Sequence, residues 1–116
     1  MRPKIPEKIE ELLQETKYLL KNIFTNNFVT LVLYGSYARG DYREDSDIDI
    51  LLILNNVKSY PGYKNKYLEV LSDLWLKYNK VISVIPLSKK DYDIKHISLI
   101  INVKKEGIEI WKKINP

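Results

Sequence analysis

Between Leu31 and Ile53 the chain reads Leu-Val-Leu-Tyr-Gly-Ser-Tyr-Ala-Arg-Gly-Asp-Tyr-Arg-Glu-Asp-Ser-Asp-Ile-Asp-Ile-Leu-Leu-Ile, and no other stretch restricts the fold as much. One apolar run stops at Gly35-Ser36; after ten residues a second begins, carrying Asp47 and Asp49 one residue apart. Strand side chains alternate between faces, so Asp47 and Asp49 share one face while Ile48 and Ile50 take the other. Neighbouring carboxylates repel, and burying them unpaired is costly, so a cation is expected between them. Hard oxygen ligands on a rigid strand suit Mg²⁺, which binds through one or two carboxylates and completes its shell with water and substrate phosphates. The Gly35-Ser36 turn lets a backbone come close, and Tyr37 to Arg39 can offer helix N-terminal N–H groups to an anion. Arg39 adds a permanent charge with fork geometry.

A hydrophobic strand, Gly-Ser, about ten residues and Asp-x-Asp on the next strand is the pattern of a known superfamily. The stretch resembles the nucleotidyltransferases that include DNA polymerase β, and among them the minimal nucleotidyltransferases. Here the pattern stands as Gly35-Ser36, then Tyr37 to Ser46, then Asp47-Ile48-Asp49. The flanking Gly35-Ser-Tyr-Ala-Arg-Gly40 and Ser46-Asp-Ile-Asp49, and the ending Glu106-Gly-Ile-Glu-Ile-Trp111, are similar to the minimal version. Gly-Ser turns and Asp-x-Asp pairs are each common; their combination at this spacing, with strands on both sides, is specific. The resemblance implies the nucleotidyltransferase fold over almost the whole chain, with Asp47 and Asp49 catalytic and metal-holding. It implies Gly35, Ser36, Arg39 and Ser46 as nucleotide-binding residues, ATP as substrate and two Mg²⁺ ions.

One departure bears on mechanism. The superfamily usually places a third carboxylate on the strand after the second helix, but Lys80-Val-Ile-Ser-Val-Ile-Pro86 holds no Asp or Glu. Ser83, its one polar residue within the strand, is expected in that place, and serine is a weak neutral Mg²⁺ ligand. One ion of the two-metal scheme needs mainly the Asp pair, whereas the other leans on all three acids. Nucleotide binding is therefore expected to survive better than turnover.

Length and composition set the outer limits. At 116 residues one domain is expected, too small for a separate substrate-binding domain. No apolar run approaches the roughly 18–20 residues that span a bilayer. The start, Met-Arg-Pro-Lys-Ile-Pro-Glu-Lys, lacks a signal peptide's apolar core, which points to the cytoplasm. With no cysteine and only His96, thiolate or histidine-cluster metal sites and cysteine nucleophiles are excluded. The net charge of +4 comes from basic residues spread in runs no longer than two, so direct nucleic-acid binding is not expected.

Taken in order, a helix is expected over Glu7–Phe24, with Ile9, Leu12, Leu13, Leu19, Leu20, Ile23 and Phe24 at helical spacing. Asn26-Asn27 interrupts it, and Phe28–Tyr34 reads as the first strand. Asp41 to Ser46 forms a polar loop whose acids Asp41, Glu44 and Asp45 face water, with a supporting role near the metal as the lesser alternative. Asp47–Leu54 is the second strand, Asn55 to Gly62 a loop, and Tyr63–Tyr78 a helix with an apolar stripe of Tyr67, Val70, Leu71, Leu74, Trp75 and Tyr78. Val81–Leu87 reads as a third strand. Ser88-Lys-Lys-Asp91 has the form of a capping box opening a helix to Glu106, buried along Tyr92, Ile97, Ile100, Ile101 and Val103 and stopped by a left-handed Gly107. Ile108-Glu-Ile-Trp111 ends the pattern as a short strand or apolar anchor. The sum is a small α/β (α+β) domain, a mixed sheet flanked by helices.

Two functional readings carry most weight. In the first, an acceptor hydroxyl attacks the α-phosphorus of ATP. The resemblance suggests that the acceptor is a tyrosine of a HEPN-domain toxin, with this chain as its antitoxin. In the second, the chain masks its partner sterically and keeps a vestigial nucleotide site, with an exposed apolar surface for which Tyr60, Tyr63 and Trp111 are candidates. A small-molecule or nucleic-acid 3′-end transferase is a third reading, weakened by the lack of an added substrate domain or basic platform. Homo- and hetero-oligomers are both compatible with the sequence.

Overall fold

The computed structural model describes residues 5–58 and 60–110. Helix α1 spans Glu7–Phe24 and, of the row expected from its periodicity, buries Ile9, Leu12, Leu13, Leu20 and Phe24 fully and Leu19 and Ile23 in part. Glu7 and Glu10 in its first turn suit the positive end of the helix dipole. Thr16 lies inside this row, and its hydroxyl donates to the Leu12 carbonyl at 2.7 Å, so no polar group is stranded. A 3₁₀ turn at Thr25–Asn27 carries the chain into strand β1, Phe28–Tyr34.

Strand β2, Ile48–Leu54, pairs antiparallel with β1, placing Tyr34 opposite Asp49 and Leu33 opposite Ile50. Between them Ser36–Arg39 forms one helical turn, α2. Helix α3, Lys64–Tyr78, then leads to β3, Ile82–Ser88, which runs parallel to β2 with Asp49 in register with Ser83. Strand β4, Ile108–Glu109, pairs antiparallel with β1. The mixed sheet has the order β3-β2-β1-β4.

Alternation along β1 and β2 divides the core in two. Leu31, Leu33, Ile48, Ile50, Leu52 and Leu54 belong to the larger cluster with α1 and α3. Val32, Leu51 and Ile53 belong to the smaller cluster with Val103, Tyr92 and Leu99. Asp49 falls on the second face, opposite the α1–α3 layer, as the alternation requires.

Several expectations need correction. The single helix to Glu106 is two helices, α4 (Lys89–Ile94) and α5 (Ser98–Glu106), with Lys95 and Ile97 extended between them. Helix α4 packs on β3 and β2 while α5 packs on β1, and a straight rod could not reach both. Ile97 and Ile101 are consequently half exposed, and only Ile100 and Val103 are buried. The capping expectation holds at α4, where Ser88 Oγ accepts the Asp91 N–H at 3.1 Å. Gly107 is not left-handed: its φ is −68°. A Cβ there would come within 2.7 Å of Val32 Cγ1, so glycine permits close packing against β1. On α3, Tyr67 and Leu74 are buried but Trp75 is 52% exposed, so the stripe is narrower than its apolar residues suggest. Tyr60 is half-buried, stacked on Phe24 at 6.2 Å and tilted against Tyr67 at 5.2 Å, whereas Tyr63 is exposed. Trp111 lies outside the described residues. Among those described, no helix is long and apolar enough to cross a membrane.

Candidate active site

The strand end of β1, the start of β2 and one side of α5 enclose an open cleft of about 550 Å³. Tyr34, Gly35, Ser36 and Arg39 line it from the β1–α2 side. Asp45, Ser46, Asp47 and Asp49 line it from the loop and β2, and Leu99, Asn102 and Glu106 from α5. Every residue expected at the site from sequence is therefore in one cavity, except Ser83. That residue lies beside Asp49 in the β2–β3 register without lining the cleft.

Local backbone explains the turn. Gly35 has φ +78° and ψ −155°, a region that is essentially glycine's alone. A Cβ there would meet Asp49 Oδ2 at 2.4 Å, so the missing side chain makes room for the carboxylate. The turn closes on itself, Ala38 and Arg39 amides donating to the Gly35 carbonyl at 3.1 and 3.0 Å and Gly40 to Ser36 at 2.8 Å. The first two helical amides, Ser36 and Tyr37, fall outside that ring of bonds. Tyr37 points away, buried and stacked on Tyr42 at 4.3 Å, and anchors α2 to the core.

Asp47 sits one residue before β2 begins, exposed, while Asp49 is half-buried within it. Burial pushes the Asp49 carboxyl pKa up, and the Asp47 charge adds to this; Arg39 opposes both. Burial and the Asp49 charge likewise raise the Tyr34 hydroxyl. Arg39 is already engaged, Nε on Asp41 at 3.2 Å and Nη1 on Glu106 at 3.1 Å. Asp41 thus serves to hold Arg39 as well as facing water. Ser46 Oγ accepts the Arg43 N–H at 2.8 Å, which shapes the loop and leaves its O–H directed by what enters the cleft.

The Asp pair is short of positive charge, because its nearest cation is shared with two other acids. That donor set, two carboxylate side chains lining one open cleft, fits a hard divalent cation. Among the described residues no group of three or more His, Cys, Asp or Glu is placed to hold a metal ion, and β3 sets Ser83 rather than an acid beside Asp49.

Sequence reasoning missed the α5 wall. Tyr34, Leu99, Asn102 and Glu106 were not expected at the site. For Glu106 a signal existed: an acid in the final turn of a helix opposes the dipole and needs a compensating partner.

Known proteins resemble this chain in sequence and in fold. The family described as nucleotidyltransferase domain matches residues 9–110. "Putative protein adenylyltransferase MJ0141" of Methanocaldococcus jannaschii is 35% identical over 102 residues, covering 88% of this chain and 98% of its own. "Putative protein adenylyltransferase MJ0604" of the same organism is 35% identical over 99 residues, covering 84% and 93%. Among solved structures, a toxin–antitoxin with AMP-PNP superposes with a TM-score of 0.56 at 19% identity, covering 90% of this chain and 70% of that one. A putative nucleotidyltransferase from Sulfolobus solfataricus gives 0.52 at 22% identity, covering 95% and 91%. At these identities the structural likeness speaks for the fold.

Proposed function

The chain belongs to the nucleotidyltransferase domain family, and on that premise we propose that it transfers AMP from ATP to a hydroxyl of a partner protein. The partner we infer is a HEPN-domain toxin modified on a tyrosine, which makes this chain an antitoxin. One observation carries the reading: Asp47, Asp49, the Gly35-Ser36 turn and Arg39 all face a single open cleft. The similarity to relatives named as protein adenylyltransferases supports a protein acceptor.

In this reading Ser36, the free amides of α2 and Arg39 hold the triphosphate, and Ser46 adds a hydroxyl from the facing loop. Asp47 and Asp49 would hold Mg²⁺. When bound, Mg²⁺ offsets the charge that gathers on the phosphates. The acceptor oxygen forms a bond to the α-phosphorus as the bond to the bridging oxygen breaks; pyrophosphate leaves and the hydroxyl proton passes to solvent. Positioning supplies much of the rate in such reactions, which places weight on the rigid strand beneath Asp49.

The steric reading has its own support. Ser83 is in register with Asp49, the place we assign to the superfamily's usual third acid, and Ile94, Ile97 and Ile101 are each about half exposed on α4, the connection after it and α5. The two readings separate in one experiment. Purified chain, Mg²⁺ and candidate partner are mixed with ATP labelled at the α-phosphate, beside the Asp47→Asn, Asp49→Asn double variant. Label on the partner is expected with the native pair and reduced in the variant beyond the roughly 10–100-fold that outer-shell changes cost. A stable complex that is never labelled would transfer the assignment to the steric reading.

A further inference from the structure

We propose that Glu106 is a resident stand-in for phosphate, holding the anion-binding donors of the cleft while no nucleotide is bound and surrendering them when a triphosphate enters. The inference rests on the nucleotide reading above. A single oxygen, Glu106 Oε2, accepts both the Gly35 N–H at 3.1 Å and Arg39 Nη1 at 3.1 Å. An N–H of a glycine turn and an arginine fork are the donors a phosphate oxygen would seek. The acid also lines the same cleft as Asp47 and Asp49.

Its position on the helix argues against an incidental contact. Glu106 is the last residue of α5, where the negative end of the dipole disfavours a carboxylate. The Gly35 and Arg39 donors offset that cost. Arg39 makes its other contact to Asp41 at 3.2 Å, so both ion pairs of the guanidinium are with carboxylates. A triphosphate reaching the Asp pair would meet a further negative charge at Glu106, on donors it could use itself. Binding therefore includes breaking two charge-assisted hydrogen bonds, and the cradle stays formed between binding events.

The test compares wild type with Glu106→Gln in two binding titrations, one with Mg²⁺ and a non-hydrolysable ATP analogue and one with inorganic tripolyphosphate. Each is followed by thermal unfolding with and without ligand. The variant is expected to bind both ligands several-fold more tightly, to melt lower than wild type when free, and to gain more in Tm on binding. A residue that merely braced the fold would lower the free and bound Tm alike and leave affinity unchanged or weaker, and that result overturns the proposal. Binding by wild type with no gain in the variant defeats this inference alone; no binding by either protein defeats the nucleotide reading with it. Should Glu106→Gln not fold, Glu106→Asp shortens the reach to both donors and is also expected to bind more tightly than wild type; equal or weaker binding overturns the proposal.

Discussion

At the scale of single residues, the site depends on one missing side chain. Gly35→Ala puts a Cβ 2.4 Å from Asp49 Oδ2 on a backbone that only glycine adopts comfortably. We expect it to lose about 1–3 kcal/mol in denaturant unfolding and to bind Mg²⁺-nucleotide poorly, since the carboxylate must move. Asp49 presents the converse case, a residue that weakens the fold for the sake of the site. Its folded pKa is raised, so the folded state binds the extra proton between the ordinary aspartate value and the folded one. Stability therefore falls as pH rises through that window and stays lower above it. Asp49→Asn is expected to melt above wild type near neutral pH without metal, the advantage shrinking as pH falls through the window. Added Mg²⁺ should raise the wild-type Tm alone. A Tm series against pH, with and without Mg²⁺, checks both statements.

At the scale of elements, α4 and α5 decide what the second face of the sheet can do. The break at Lys95 to Ile97 lets α4 stay on β3 and β2 while α5 crosses to β1 and brings Glu106 to Gly35. Helix α4 has only six residues, too few to be stable alone, so its Ser88 cap matters more than in a long helix. Ser88→Ala should cost about 0.5–2 kcal/mol in urea unfolding. In hydrogen exchange the loss of protection should be concentrated in α4. On the other face, α1 and α3 are joined through Glu15, which accepts from Lys77 at 2.9 Å and from Tyr78 Oη at 2.7 Å. Those bonds lower the Glu15 pKa, the Lys77 contact foremost, so they support the fold at neutral pH and are lost in acid as Glu15 protonates.

For the whole molecule, stability and chemistry lie on opposite faces of one sheet. The α1–α3 face holds most of the buried core, and Leu12, fully buried there, is expected to cost about 2–5 kcal/mol as Leu12→Ala. Leu76 on α3 is 80% exposed, and its replacement by alanine should stay within about 0.5 kcal/mol. Paired urea titrations of the two variants measure the contrast. A marginal net stability makes that division useful, because uncompensated acids at the cleft are tolerable only while the other face holds the sheet.

Much of this was determined by sequence alone. The bounds of α1 and β1 follow from short-range rules, helical spacing and strand alternation, and the same alternation put Asp47 and Asp49 together, where both line the cleft; the family was legible through its resemblance to a known motif. The α4–α5 region was not legible in the same way. Tyr92 and Val103 are eleven residues apart, about three whole helical turns, so one helix and two give the same spacing. Only the tertiary structure decided between them, because the break answers to where β1 and β3 lie in the sheet. Gly107 is hemmed in by Val103 of its own helix and by the Val32 side chain on β1, and the partner of Glu106 is a turn 71 positions away along the chain. Local sequence encodes which face a residue takes; which residues meet across that face depends on how the strands are ordered.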